Sequence, residues 1–213
     1  FSGNEPDTPE LLVETGADIA AQPFHRIGGR TFRAVFVPTA GGLHTLRIAH
    51  PRIAAWEQNV AVFLRGESAR TLSLGDVAIT AQPDSAYGVL FARVSEISSG
   101  PQTSGRKLGA TYALWPAGAP VFAPVDISFP APADMPHPER VHMYRRSGGG
   151  WSREDTRHGA GRLVISTRSF GDYAAIEDST APSVAVATPP EGYHAKTRRP
   201  HIRAEIGDNL SGV

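Results

Sequence analysis

Apolar side chains recur at every second position along most of this chain. The clearest run is Val125, Ile127 and Phe129, which alternate with Asp126 and Ser128. A period of two places one side chain in a core and the next in water, as in a β-strand. The pattern therefore predicts strands, and the same period recurs at 32–36, 46–48, 77–79, 163–167 and 202–206.

Helical spacing is almost absent. Only 9–14 and 53–57 are candidate helices, and each would form one or two turns at most. Turn signals separate the predicted strands, as at Gly75-Asp76 and at the glycine-rich hairpin loop 147–150. Short strands spaced by turns are typical of sandwiches. The predicted fold is therefore all-β, with tandem immunoglobulin-like β-sandwich modules.

Two polar breaks divide the chain. Residues 65–68 follow the apolar run 60–64, and Pro182 in the second break at 178–182 cannot donate to a sheet ladder. The last piece holds about 35 residues, too few for an independent core. The predicted domains are a possibly incomplete immunoglobulin-like sandwich at 1–66, a complete sandwich at 67–178, and the truncated start of a further immunoglobulin-like domain at 179–213.

The two ends of the sequence suggest a fragment. The chain begins at Phe1 without an initiator methionine, and it ends inside a strand-and-turn pattern at 211–213. We therefore expect a longer parent protein, whose catalytic domain could lie outside these residues.

Composition narrows the function classes. Glycine and proline number 22 and 18 among 213 residues, so turns are frequent. The absence of cysteine excludes disulfides, thiol catalysis and cysteine-based zinc sites. Basic and acidic residues balance at 21 each, so no net field favours nucleic acid. No apolar run reaches about 18 residues, and the sequence predicts no membrane insertion.

The sequence offers no catalytic motif. None of its eight histidines forms His-x-His or His-Glu-x-x-His, the spacings that bring two imidazoles to one metal. Ser152 follows Gly150 but lacks the second glycine of a nucleophile elbow. Glu154 and Asp155 are adjacent, so on a strand they would point to opposite faces. We predict that this chain is not an enzyme by itself and uses no cofactor.

Two stretches resemble known β-sandwich modules. Residues 41–49, where two glycines precede a strand, resemble a late strand of immunoglobulin-like modules in bacterial surface proteins. Residues 112–130 resemble the signature of the sandwich module of ankyrins and netrin receptors. Tyr144, Trp151 and 170–174 follow in a similar order and spacing. That resemblance implies a complete sandwich over most of the second predicted domain.

A third stretch resembles part of an exported enzyme. Residues 170–182, followed by Asp208, Asn209 and the ending 211–213, are similar to the region after the catalytic domain of exported lysostaphin-type zinc peptidases. This resemblance implies an accessory region of an exported bacterial protein, located in the periplasm, at the cell surface or outside the cell. It implies no peptidase activity here, because the catalytic motifs are missing.

Aromatic residues are candidates for a sugar-binding platform. Trp56, Trp115, Trp151 and Tyr173 could stack on the apolar face of a sugar ring. Trp115 lies in an apolar stretch and Trp151 follows a hairpin, so both are expected in the core. Trp56 stands between Ala55 and a glutamate, and we expect it to be exposed.

The densest basic stretch lies near the C-terminus. Lys196, Arg198 and Arg199 are its cations, with further charge at Arg203. This stretch could attract an anionic envelope polymer, or it could protect an edge strand from pairing. Both interpretations remain open.

One turn has the chemistry of a cation site. Asp208 and Asn209, with the Ser211 carbonyl, offer oxygen ligands of the kind that calcium prefers. The same residues also fit an Asx turn, in which the Asp208 carboxylate bonds its own backbone.

These observations predict a non-catalytic accessory or spacer region, attached to a cell-wall peptidase. Its expected partners are a cell-wall polysaccharide or the catalytic domain of the same protein. Two alternatives remain: a polysaccharide- or envelope-binding module, and part of a hydrolase whose catalytic residues lie outside this chain. A spacer predicts no deep pocket, whereas a binding module predicts an exposed aromatic or basic face.

Overall fold

The computed structural model contains β-strands almost exclusively. It describes residues 9–28, 31–50, 53–98, 105–147, 149–179, 181–188, 194, 199 and 203–207. Within these residues the only helical element is a short 3₁₀ turn at Pro138–Arg140. The strands form several antiparallel sheets in a sandwich-like arrangement, so the predicted all-β fold class is confirmed.

Eighteen strands are assigned within the described residues. In chain order they are β1 (Glu10–Thr15), β2 (Asp18–Pro23), β3 (His25–Gly28), β4 (Thr31–Arg33), β5 (Gly42–Ala49), β6 (Trp56–Leu64), β7 (Arg70–Leu74), β8 (Val77–Ala81), β9 (Val89–Ile97), β10 (Arg106–Trp115), β11 (Val125–Pro130), β12 (Val141–Ser147), β13 (Gly150–Arg153), β14 (Thr156–Gly159), β15 (Arg162–Thr167), β16 (Asp172–Glu177), β17 (Ser183–Thr188) and β18 (Arg203–Gly207).

The chain forms two compact units that alternate along the sequence. The first unit comprises 1–96, 113–131 and 157–171, and the second comprises 97–112, 132–156 and 172–213. In the first unit one sheet has the strand order β9-β6-β5-β1-β2, and another has the order β14-β15-β11-β8-β7. A small hairpin of β3 and β4 completes it.

The five-stranded sheet that contains β11 follows the sequence pattern closely. Val125, Ile127 and Phe129 are completely buried on β11, and they pair in register with β15. Leu163 and Ile165 on β15 are buried opposite them. Because alternate positions face water, this sheet has one apolar face, as the period of two predicts.

In the second unit the strands have the order β13-β12-β16-β10, where β10 contributes its first residues. Tyr144, Ala174 and Ile176 form a buried cluster, and Trp151 on β13 packs against it. The turn between β12 and β13 lies within the predicted hairpin loop, with Ser147 paired to Gly150. A separate pair, β17 and β18, completes this unit.

Both candidate helices are wrong. Residues 10–15 form β1, which pairs with β2 on one side and with β5 on the other. Leu11 and Val13 are buried on β1, so alternation and pairing across the sheet override a weak helical spacing. The second candidate, 53–57, ends in the first residues of β6.

Two runs that the alternation predicts as half-buried strands also differ from the prediction. The run 32–36 is strand only to Arg33, and Phe36 lies in the irregular connection to β5. Within 203–207, both Ala204 and Ile206 are exposed on β18, although the alternation places them in a core.

The predicted domain boundaries stay predictions. The break at 65–68 forms the turn between β6 and β7, while β6 pairs with β9 beyond it. Residues 178–182 connect β16 to β17. In the described residues, no helix is long and apolar enough to cross a membrane.

Candidate functional site

An apolar groove of about 360 Å³ opens on the first unit. Side chains from β5, β6 and β9 form its floor, and residues outside those strands complete its walls. This volume lies within the range of small-ligand sites, about 300–1,000 Å³.

Strand β6 supplies one row of the lining. Trp56, Gln58 and Val60 occupy alternate positions, so all three project from the same face of the sheet. Leu46 on β5 stands directly opposite Gln58 in the register and joins the same face. Trp56 is 41% exposed, because it opens the strand at the mouth of the groove.

Phe36 closes one wall from the connection between β4 and β5. Its ring centroid lies 5.3 Å from that of His44 and 6.3 Å from that of Phe91 on β9, the latter with edge-on geometry. These spacings are those of favourable aromatic pairs. The irregular segment is therefore held against the sheet by its aromatic side chain.

Arg93 and Trp115 form the polar corner of the groove. The guanidinium carbon of Arg93 lies 5.1 Å from the centroid of the Trp115 ring, within range of a cation–π interaction. The Arg93 Nε atom is buried and has no hydrogen-bond partner. In the part of the chain that the structure describes, no carboxylate forms an ion pair with Arg93.

The aromatic residues named by the sequence divide between groove and core. Trp56 is exposed as predicted, while Tyr173 is fully buried and Trp151 half-buried against the second unit's cluster. The expectation that Trp115 lies in the core is wrong, since it is 54% exposed. Its flanking apolar residues suggested burial, but it ends β10, and its ring faces the groove.

Three groove residues were missed by sequence reasoning. Phe36 was assigned to a strand, and Phe91 and Arg93 were not singled out. The sequence held one signal for this site. Arg93 is a cation two positions after Phe91 in the apolar strand β9, so both side chains project from the same face.

Four of the five predicted C-terminal site residues are not described by the structure. Lys196, Arg198, Asp208 and Asn209 lie outside the described residues. Arg199 is described and exposed, and its binding role stays a prediction. The choice between a calcium site and an Asx turn also stays open.

The described residues contain no group of three or more potential metal ligands. Buried His44 receives a bond at Nδ1 from Thr15 and donates from Nε2 to the Ala40 carbonyl. Glu154 is bound by Arg145 at 2.7 Å. These side chains therefore serve the structure where they lie.

A second aromatic surface is exposed elsewhere on the first unit. Tyr87 and Phe122 meet edge-on with ring centroids 5.3 Å apart, and the Arg65 guanidinium lies 5.9 Å from the Phe122 ring. Backbone bonds join the three loops concerned, from Arg65 to Gly88 and from Phe122 to Ser85. This surface is a cluster of loops and does not line the groove.

No protein-family model matches the chain, and no curated protein matches it either.

Proposed function

We propose that this chain is a non-catalytic accessory region of an exported bacterial protein, and that its aromatic groove binds a cell-envelope polysaccharide. The observation that carries the proposal is the placement of two exposed tryptophans, Trp56 and Trp115, on one groove. Attachment to a cell-wall peptidase, and a location in the periplasm, at the cell surface or outside the cell, are supported only by the resemblance of 170–182 and 208–213.

The chemistry of the lining suits a sugar ring. A pyranose has apolar C–H faces, which pack on aromatic planes, and hydroxyl groups at its rim, which need hydrogen bonds. Trp56 and Trp115 offer the aromatic planes, and Gln58 offers both an amide donor and an amide acceptor. A groove that is open at the mouth also admits one unit of a longer chain.

The groove favours binding over a purely mechanical role. A spacer needs only a stable fold, and natural surfaces rarely leave large contiguous apolar patches without a use. Exposed tryptophans at a groove of ligand size therefore support the binding module above the spacer alone.

A sedimentation assay tests the proposal. The full chain is mixed with purified bacterial cell-wall sacculi, and the fraction that pellets is measured over a range of sacculus concentrations. The unmodified chain is expected to pellet, and Trp56→Ala is expected to weaken retention by about five- to tenfold, because one stacking surface is lost.

Phe122→Ala is the matched control. It removes an aromatic side chain of similar exposure from the same unit but outside the groove. Its retention should equal that of the unmodified chain. Equal retention of all three proteins, or loss only in Phe122→Ala, would overturn the assignment of binding to the groove.

A further inference from the structure

We infer that the groove selects sugars that carry a carboxylate, with Arg93 as the anion-binding residue. This rests on the proposed function, since it specifies which envelope glycan units the groove holds. The inference follows from the charge state of the lining.

Among the described residues, no carboxylate pairs with the Arg93 guanidinium. Its side chain is half-buried, and its Nε atom is buried with no hydrogen-bond partner in the described structure. A buried N–H of a guanidinium that lacks a partner carries a cost, and an anion that bonds the same group offsets part of it. The groove therefore has a built-in preference for a negatively charged ligand group.

Another arginine of the same sheet, on the strand beyond β6, is neutralised by carboxylates. Arg47 on β5 bonds Glu14 and Glu57, each at 2.9 Å. Arg93 has no such pair in the residues that the structure describes, although it lies on the same sheet. A carboxylate from outside the chain can fill the role that Glu14 and Glu57 fill for Arg47.

The other residues that line the groove further restrict the chemical class of the ligand. The described residues that line the groove include no acidic side chain. Arg93 would therefore repel a cationic ligand, and no carboxylate of the lining would attract it. Inorganic anions make no use of the apolar walls. A ligand that fits both the apolar walls and the Arg93 cation has an apolar ring face for the tryptophans and a carboxylate for Arg93, as a uronic acid has.

The contact with Trp115 restricts the motion of the guanidinium, because its central carbon lies 5.1 Å from the ring centroid. Since Nε is buried, an incoming anion would bond the edge formed by the two terminal nitrogens. Carboxylates bind such an edge through two parallel N–H···O bonds, which lysine cannot provide.

The test compares two matched oligosaccharides. One is a tetrasaccharide of alternating glucuronic acid and N-acetylglucosamine, and the other is the same compound with its carboxylates reduced to hydroxymethyl groups. Both are titrated into the full chain while tryptophan fluorescence is recorded. The carboxylated compound should bind about 10- to 100-fold more tightly, and about 0.5 M salt should narrow the difference.

Three variants assign the preference to one residue. Arg93→Met should abolish the difference between the two compounds, and Arg93→Lys should retain only part of it. Arg157→Met is the control, because Arg157 lies on β14 in the other sheet of this unit and, among the described residues, forms an ion pair only with Asp126. Circular dichroism of each variant confirms that the sheets remain folded.

The outcomes separate the two levels of the proposal. Equal affinity of the unmodified chain for both compounds would overturn the carboxylate preference and leave glycan binding intact. Binding of neither compound, together with no retention on sacculi, would overturn the proposed function itself. A preference that survives in Arg93→Met would show that another residue selects the anion, and would overturn the role of Arg93.

Discussion

The Thr15 hydroxyl oxygen lies 2.6 Å from Nδ1 of His44, across the paired strands β1 and β5. On its other side, Nε2 of His44 lies 3.2 Å from the Ala40 carbonyl oxygen. A carbonyl only accepts, so Nε2 carries the proton and Nδ1 accepts from Thr15. Both ring nitrogens of this buried histidine are thus occupied, which leaves it no lone pair for a metal.

Thr15→Val should destabilise the first unit. Valine keeps the shape and the strand preference of threonine but leaves Nδ1 of His44 buried without a donor. The cost of such an orphaned group is about 1–3 kcal/mol. Urea unfolding of the full chain, followed by circular dichroism, measures the change in the free energy of unfolding.

Thr45→Val is the matched control on β5. Its hydroxyl donates to Asn59 at 2.9 Å in an exposed position, where water replaces the lost bond. The free energy of unfolding should fall by less than about 0.5 kcal/mol. An effect as large as that of Thr15→Val would contradict the structural role assigned to His44.

The sheet around β11 was predictable because local and global signals agree. Val125, Ile127 and Phe129 alternate strictly, and Gly75 supplies the turn that joins β7 to β8. Such strands bury one face whatever their exact partners are. At 9–14 the local spacing was ambiguous, and pairing on both edges decided the outcome.

The groove could not be predicted in the same way. Its key residues, Phe36, Trp56, Arg93 and Trp115, are far apart in sequence. Strand pairing and the ring contacts of Phe36 bring them together. Trp56 was found because polar and small neighbours marked it as exposed. The burial of Trp115 was predicted wrongly. Apolar neighbours indicate that a strand is present, but they do not indicate which face its last residue occupies.

Gly75→Ala should destabilise the chain, because Gly75 has a positive φ of 62° in the β7–β8 turn. That conformation costs alanine about 1–2 kcal/mol of free energy. Gly88→Ala, at a position with open space and no positive φ, should be neutral or stabilise by up to about 1 kcal/mol. Thermal unfolding of both variants checks the difference in sign, and a loss of equal size in both would exclude the conformational explanation.

Arg145→Met should lower the free energy of unfolding by about 1–3 kcal/mol, because it leaves a half-buried Glu154 without its 2.7 Å partner. Arg146→Met is the neighbouring control, since among the described residues Arg146 forms only a longer, 3.6 Å ion pair with Asp172, and its own side chain is exposed. Its cost should stay below about 0.5 kcal/mol. Denaturant melts at neutral pH compare the two, and equal losses would contradict a special role for the Arg145 pair.

The pH dependence of the Arg145 effect follows from its pKa. The hydrogen bond with Glu154 raises the pKa of Arg145 above its ordinary value, while burial lowers it by less. A raised pKa in the folded state gives stability that is complete below the ordinary pKa and is lost only as pH rises through the folded value. The difference between the unmodified chain and Arg145→Met should therefore stay constant from about pH 6 to about pH 10. A difference that shrinks within this interval would show that another group titrates in the pair.

Trp115→Ala and Trp151→Ala should separate binding from stability. Trp151 packs on the cluster of Tyr144, Ala174 and Ile176, so its loss should cost about 2–4 kcal/mol of unfolding free energy and leave glycan retention unchanged. Trp115 is more than half exposed and contacts Arg93, so its loss should cost only about 0.5–1 kcal/mol. Retention on sacculi should nevertheless fall by about tenfold, because both a stacking plane and the support of the Arg93 guanidinium are removed. Urea melts and sedimentation on the same preparations measure the two quantities, and parallel losses of stability and retention in both variants would mean that binding follows the integrity of the fold and not the groove.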